Sequence, residues 1–147
     1  MRKLLNTLVV LAALASVSAF AQQAQQFGDY IVHYNALNSS LLTPEVAKAY
    51  GIRRSDSRAL INISVLKSVN DLPAAAVKAQ VKASGRNLTG QTRNIDMRQI
   101  NDGDGAIYYI GELSVRNMEM FDFTVTVLPE GQGQPFNVKF RQQFYTE

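Results

Sequence analysis

Few side chains in these 147 residues can do chemistry: there is one histidine and there are no cysteines or tryptophans. His33 stands in VHYNALNSSLLTPEVAKAYGI, residues 32–52, shortly before Ser39 and Ser40. A Ser-His pair becomes catalytic only with an orienting acid and a nucleophile held on a sharp turn. No G-x-S-x-G occurs and spacing fixes no acid, so His33 reads as a hydrogen-bonded, partly buried histidine at a sheet end. Met118-x-Met120 places two thioethers on one face of a strand, with Met97 as a third. Thioethers joined by imidazole suit Cu(I). Methionines on strands are more often core fillers, so Met118, Met120 and Met97 are weak metal candidates and no cofactor is expected. NDGDG, residues 101–105, alternates oxygen ligands but lacks the closing glutamate of a calcium loop. A tight turn explains the same residues.

Two further groups are binding candidates. Arg53, Arg54 and Arg58 surround Ser55-Asp56-Ser57, where they form a solvated loop or hold an anionic group. Tyr108 and Tyr109 are adjacent, so on a strand they face opposite sides. One belongs to a core and the other is free to make a contact with its polar tip.

The start of the chain carries targeting grammar. Arg2 and Lys3 precede an apolar run from Leu4 to Ala15, and Ala19-Phe20-Ala21 fits a small-x-small cleavage site before Gln22. Residues 1–21 are therefore expected to be a signal peptide, with no membrane span left after cleavage, since a span takes about 20 apolar residues. The lack of cysteine excludes a disulfide framework and thiolate metal sites, and fits a bacterial periplasm. Two of the 15 Lys and Arg fall in the signal and all 12 Asp and Glu lie beyond it. The exported part is thus nearly neutral, which does not fit a nucleic-acid partner or a polybasic membrane-surface protein.

Residues 22–27 are polar and low in complexity, and are expected to be a flexible N-terminal segment. Residues 28–147 read as one domain. Apolar and polar residues alternate over 29–37, 59–67, 75–84, 91–100, 106–115, 118–128 and 135–145. Seven short strands, each with one wet face, predict two packed antiparallel sheets in an immunoglobulin-like sandwich; a small closed barrel is the alternative.

One helix interrupts this pattern between the first two strands. Thr43 suits the N-cap, Pro44 the first helical position, Glu45 the positive helix end and Gly51 a left-handed C-terminal stop. Val46, Ala49 and Tyr50 form the expected apolar stripe, and so short a helix must dock. It is expected to plug one end of the sandwich. Irregular segments on a rigid scaffold carry binding residues, which singles out His33, Asn35, Asn38, Arg53 and Arg54 as the interaction surface.

FGDYIVHYNALNSSLLTPEVAKAYGI, RSDSRALINISVLK, GAIYYIGE and FRQQFYTE together resemble a family of small exported proteins of Gram-negative bacteria catalogued as a domain of unknown function. The resemblance spans residues 27–147 and implies a periplasmic, all-β single domain. It supplies no activity or site residues. The expected function is a non-enzymatic interaction or accessory module whose partner is another periplasmic or envelope protein; the alternative is a small-ligand or copper carrier. Protein recovered after export should begin at Gln22 by intact mass. A product that retains Met1 would remove the export reading.

Overall fold

The structure is a computed structural model that describes residues 23–147; the expected signal peptide lies outside the described residues. Ten strands follow one another: β1 (Gln23–Phe27), β2 (Tyr30–Asn38), β3 (Arg58–Lys67), β4 (Ala75–Ala76), β5 (Ala79–Asn87), β6 (Thr92–Ile95), β7 (Arg98–Asp102), β8 (Ala106–Ser114), β9 (Glu119–Pro129) and β10 (Phe136–Phe144). Between β2 and β3 run a single 3₁₀ turn, Ser39–Leu41, and one helix, α1 (Pro44–Tyr50).

All pairings are antiparallel. One sheet has six strands in the order β1-β2-β3-β8-β7, with β4 also on β3; the other has four, β10-β9-β5-β6. Reading β2, β3, β5, β7, β8, β9 and β10 as strands A to G gives A-B-E-D against G-F-C, the immunoglobulin order, with β6 extending the C edge. The inward residues are those the alternation selects. Val32, Ile61, Ile63 and Val65 meet Phe121, Phe123, Val125, Val127, Val138 and Phe144 in one continuous core. At roughly 1.5–3 kcal/mol for each large apolar side chain buried, this is the main stabilising term.

Ten strands stand where seven were predicted, and two of the three additions are sheet crossings. The run 75–84 begins as β4 on β3 and continues as β5 on β9 in the opposite sheet. The run 91–100 begins as β6 on β5 and continues as β7 on β8. Inward residues stay inward across such a crossing, so the alternation does not reveal it. The third addition is β1. Gln23–Phe27 pairs in register with β2 instead of forming a loose tether. Gly28, at φ 59, makes the tight two-residue hairpin possible, and Phe27 stacks on Phe136 with ring centroids 4.6 Å apart.

The insert keeps its predicted ends. Thr43 Oγ1 accepts from the Val46 N–H, and Gly51 takes φ 66 while its N–H and that of Ile52 donate to Lys48 O and Ala47 O, closing a Schellman motif. The helix does not plug an end of the sandwich. It lies on the outer face of the six-stranded sheet, where Ala47 and Ile52 are buried with Leu60 of β3 and Ile110 of β8. Its buried stripe is accordingly Ala47 and half-buried Tyr50, while Val46 and Ala49 of the expected stripe face water. Buried Ser39 ties the insert shut, donating to Arg53 O and Ser55 O and accepting from the Ser55 N–H. The burial of the Tyr50 phenol, reinforced by the Asp102 carboxylate, pushes its pKa above the ordinary 10.0.

The crossing from β6 to β7 rests on Gly111 of β8. A Cβ there would collide with Ile95 Cγ2 and Met97 Sδ and stand 3.1 Å from Asp96 O. Gly111→Ala should therefore destabilise the fold by about 1–3 kcal/mol through overpacking, read as a lower urea midpoint at unchanged slope. An unchanged midpoint would show that the crossing is not packed against Gly111.

Candidate functional site

The outer face of the six-stranded sheet changes character along β2 and β3. Leu37 and Leu60 lie under the insert. Next come Asn35 opposite Asn62, then His33 opposite Ser64, then Ile31 opposite Leu66. The strand period of two sends all eight side chains to this one face. The two middle pairs form a polar band between apolar ones. Tyr108, on β8, closes the band on its inner side, and Tyr50 of the helix leans on it with ring centroids 6.5 Å apart.

His33, Asn35, Asn62, Ser64 and Tyr108 converge on a dent with about 40 Å³ of water-accessible space. That volume admits one or two water-sized groups. Among the described residues, His33 Nδ1 and Asn62 Oδ1 are fully buried yet have no hydrogen-bond partner. A third such atom, Arg58 Nε, differs in having a charge partner, Glu112 Oε1 at 3.6 Å. A buried polar atom without a partner forfeits about 1–3 kcal/mol, so native structures rarely keep one without a reason.

Elsewhere this protein satisfies such groups. Asn87, the last residue of β5, donates to Gln91 Oε1 and Glu119 Oε2 and accepts from the Thr89 hydroxyl and the Gln91 N–H. Tyr109, the inward neighbour of Tyr108, accepts from the Ala79 N–H at 2.8 Å. The dent holds uncharged donors and acceptors that are positioned by a rigid sheet but not used within the chain. Its lining contains no carboxylate, lysine or arginine, so it suits an uncharged polar group such as a hydroxyl or an amide.

His33 is neither hydrogen-bonded through Nδ1 nor at a sheet end: it sits mid-strand on β2, half-buried. Asn35 shares the dent. Asn38 does not, for its amide donates to Asp56 O and Tyr145 O and clamps the insert to the end of β10. Arg54 donates to Ser40 O, bracing the insert, and Arg53 is exposed beside it. Asn62 and Ser64 were missed because, in sequence, their strand gave only its apolar inward residues a role. Their signal was the outward Asn-x-Ser facing Asn-x-His once β2 and β3 pair in register.

The three methionines are not brought together. Met97 packs on the core, Met120 lies on the outer side of β9, and Met118 is an exposed turn residue at φ 61. Among the described residues, no group of three or more His, Cys, Asp or Glu could hold a metal ion. NDGDG closes the β7–β8 hairpin, with Gly105 at φ 80 and its N–H on Asp102 O. A groove of about 400 Å³, lined by Lys78–Gln80 and residues 128–132, is larger. It is open, and none of the buried unpaired polar atoms lies in its lining.

A sequence profile of the family described as "Domain of unknown function (DUF4426)" matches residues 24–147. Among solved structures, the crystal structure of a DUF4426 family protein from Pseudomonas aeruginosa PAO1 aligns with a TM-score of 0.72 at 32% identity, covering 87% of this chain and 98% of that one. No curated protein matches the chain. Asn62→Leu should replace an unpartnered amide by an apolar side chain of similar size and raise stability by about 1 kcal/mol. The readout is a higher urea midpoint at unchanged slope; a lower midpoint would mean that Asn62 already has a partner in the free protein.

Proposed function

The chain belongs to the DUF4426 family of domains of unknown function, and from that premise we propose that it is a non-enzymatic recognition module of the periplasm, acting through the polar dent beside its insert. The observation that carries this reading is the set His33, Asn35, Asn62, Ser64 and Tyr108, five hydrogen-bonding side chains on one rigid face with two buried atoms unpaired. Recognition sites keep such groups unsatisfied in the free protein and satisfy them on binding, and the stability forgone is recovered as specificity.

The dent is too small to enclose a whole ligand, so it receives one polar group of a larger partner. The exposed rim, from Asn35 to the helix, supplies the rest of the contact. A partner bearing a hydroxyl or amide at the point of contact gains two charge-free hydrogen bonds in a partly desolvated place, each worth about 0.5–1.5 kcal/mol net. Export is part of the proposal and rests on the N-terminal signal grammar and the absence of cysteine. The copper-carrier alternative gains no support from sulfurs that sit on separate faces.

A photocrosslinking amino acid at position 35, expressed in cells, should trap an adduct. One at Thr126, on the outer face of the other sheet, should not. Asn62→Leu and Ser64→Val should remove the adduct while the protein stays folded. Equal trapping at both faces, or none at position 35, would remove this reading.

A further inference from the structure

The two sheets do not end together on the side of β10. Tyr30 and Tyr34 of β2 lie over Phe136 and Phe140 of β10, with ring centroids 5.5 and 4.8 Å apart. β2 thus covers β10, and β1 extends one strand further out. Gln23 and Gln25 of β1 pair with Tyr34 and Val32, so their side chains share the inward face of those residues. Val32 is fully buried, yet both glutamines are exposed, for no strand of the smaller sheet lies beneath them among the described residues. Only Phe27, at the hairpin end of β1, finds cover, against Phe136. The smaller sheet therefore stops one strand short and leaves a step beside β10, roofed by β1.

The free edge of β10 lacks the usual devices that break an edge strand, short length, bulges and internal proline. It runs for nine residues and pairs with β9 in unbroken register. Glu130 fixes the phase of the ladder: its N–H donates to Lys78 O across the Ala79–Pro129 pair. Such a bond flanks a non-hydrogen-bonded pair, so the odd-numbered residues of β9 turn their backbone groups toward β10. Phe136, Val138 and Phe140 meet them there. Asn137, Lys139 and Arg141 then point N–H and C=O away from β9, and among the described residues these groups have no partner.

A row of donors and acceptors at strand spacing is matched by another extended backbone. A second copy of this chain does not fit. Two β10 strands paired antiparallel about a two-fold axis would bring β1 of each copy onto the place that β2 of the other fills. The outer face of β10 also carries Lys139 and Arg141 and no acid, which opposes pairing with itself. The step is one strand wide and takes a single extended segment. Charge specifies that segment further. Asp122 is held by Arg141 through two hydrogen bonds, while Lys139, opposite Thr124, has no ion pair among the described residues. An acidic side chain on the outer face of an added strand meets this lysine. On the inner face, half-buried Phe136 and Phe140 offer apolar contact, and Gln23 and Gln25 offer amides.

We propose that β10 receives an extended, acidic segment of another polypeptide, which joins the smaller sheet as an added strand roofed by β1. The segment alternates apolar residues, packed beside Phe136 and Phe140, with polar ones that include an aspartate or glutamate facing Lys139. This edge belongs to the other sheet from the polar dent and uses none of its residues.

The test selects short peptides from a random library displayed on phage, with the exported protein as target. Selected peptides should alternate apolar and polar residues and carry Asp or Glu in the polar set. An added strand turns only every second amide toward β10. N-methylation of one alternate set of amides in a selected peptide should therefore lower affinity by about tenfold, and methylation of the other set should leave it unchanged. Lys139→Pro removes an N–H that β9 does not use, so the fold should persist while affinity falls by about tenfold. Lys139→Glu leaves the backbone intact; it should weaken acidic peptides about fivefold and strengthen their lysine counterparts. A library that yields no binder, or peptides indifferent to which set is methylated, would overturn the proposal. So would affinity unchanged by Lys139→Pro in the folded protein, or by Lys139→Glu where proline unfolds it. A dimer in sedimentation velocity that Lys139→Pro dissolves would give the edge to a second copy and overturn it as well.

Discussion

A sheet face that alternation makes apolar cannot be left in water, and this constraint organises the molecule outside its core. β3 and β8 carry apolar residues on both faces over part of their length: Ala59, Ile61 and Tyr109 face inward, Leu60 and Ile110 outward. The inward set meets the opposite sheet. The outward set, Leu60 and Ile110, needs a second cover, which only the insert provides. A seven-residue helix would not persist in water; with Ala47 and Ile52 buried, it does. The helix and the face are each unfavourable alone, and their union fixes where the insert sits, how far it reaches and where the outer face becomes open. The polar dent begins where that cover ends.

This accounts for what the sequence made legible and what it did not. The inner faces were readable because period two is local information: each residue carries its own assignment. Helix caps were readable for the same reason, since Thr43, Pro44 and Gly51 act on their immediate neighbours. The helix's destination was not, because it depends on outward residues of strands far along the chain. The outward Leu60 and Ile110 were the available signal, visible as breaks in strict alternation. β1 was passed over because glutamines favour no strand; Gly28-Asp29 between QAQQF and YIVHY was the hairpin signal. Sheet crossings leave alternation undisturbed, so strand number was undercounted while inward residues were still assigned correctly. His33 and Asn35 were singled out from sequence, whereas Asn62 and Ser64 needed the β2–β3 register to join them.

Family membership bears out the resemblance read from FGDYIVHYNALNSSLLTPEVAKAYGI and the later segments, and it brings a fold without an activity. Function must then be argued from the site. The contrast between Asn87 and Asn62 carries more weight than composition here. Both are half-buried or buried asparagines on strands of one rigid body, and one makes four hydrogen bonds while the Oδ1 of the other has no partner within the chain. A chain able to satisfy the first had the means to satisfy or replace the second. Leucine at position 62 would extend the apolar surface of Leu60 as far as Ser64.

Net charge, like a strand count, averages over what the fold separates. Near neutrality argues against a basic surface only if charges are evenly spread. The antiparallel order brings the insert, the β5–β6 and β8–β9 turns and the end of β10 to one pole, and the arginines of this chain lie mainly on those segments. Arg141 shows the alternative arrangement: on the outer face of β10 it pairs with Asp122 through two hydrogen bonds, and the pair holds the Asp122 carboxyl below its ordinary pKa. The arginines at the pole share it with Asp56, Glu112, Glu119 and Glu147, so that end carries charge of both signs. The dent beside the helix is lined by neither sign, so its hydrogen-bonding groups face no competing ion pair.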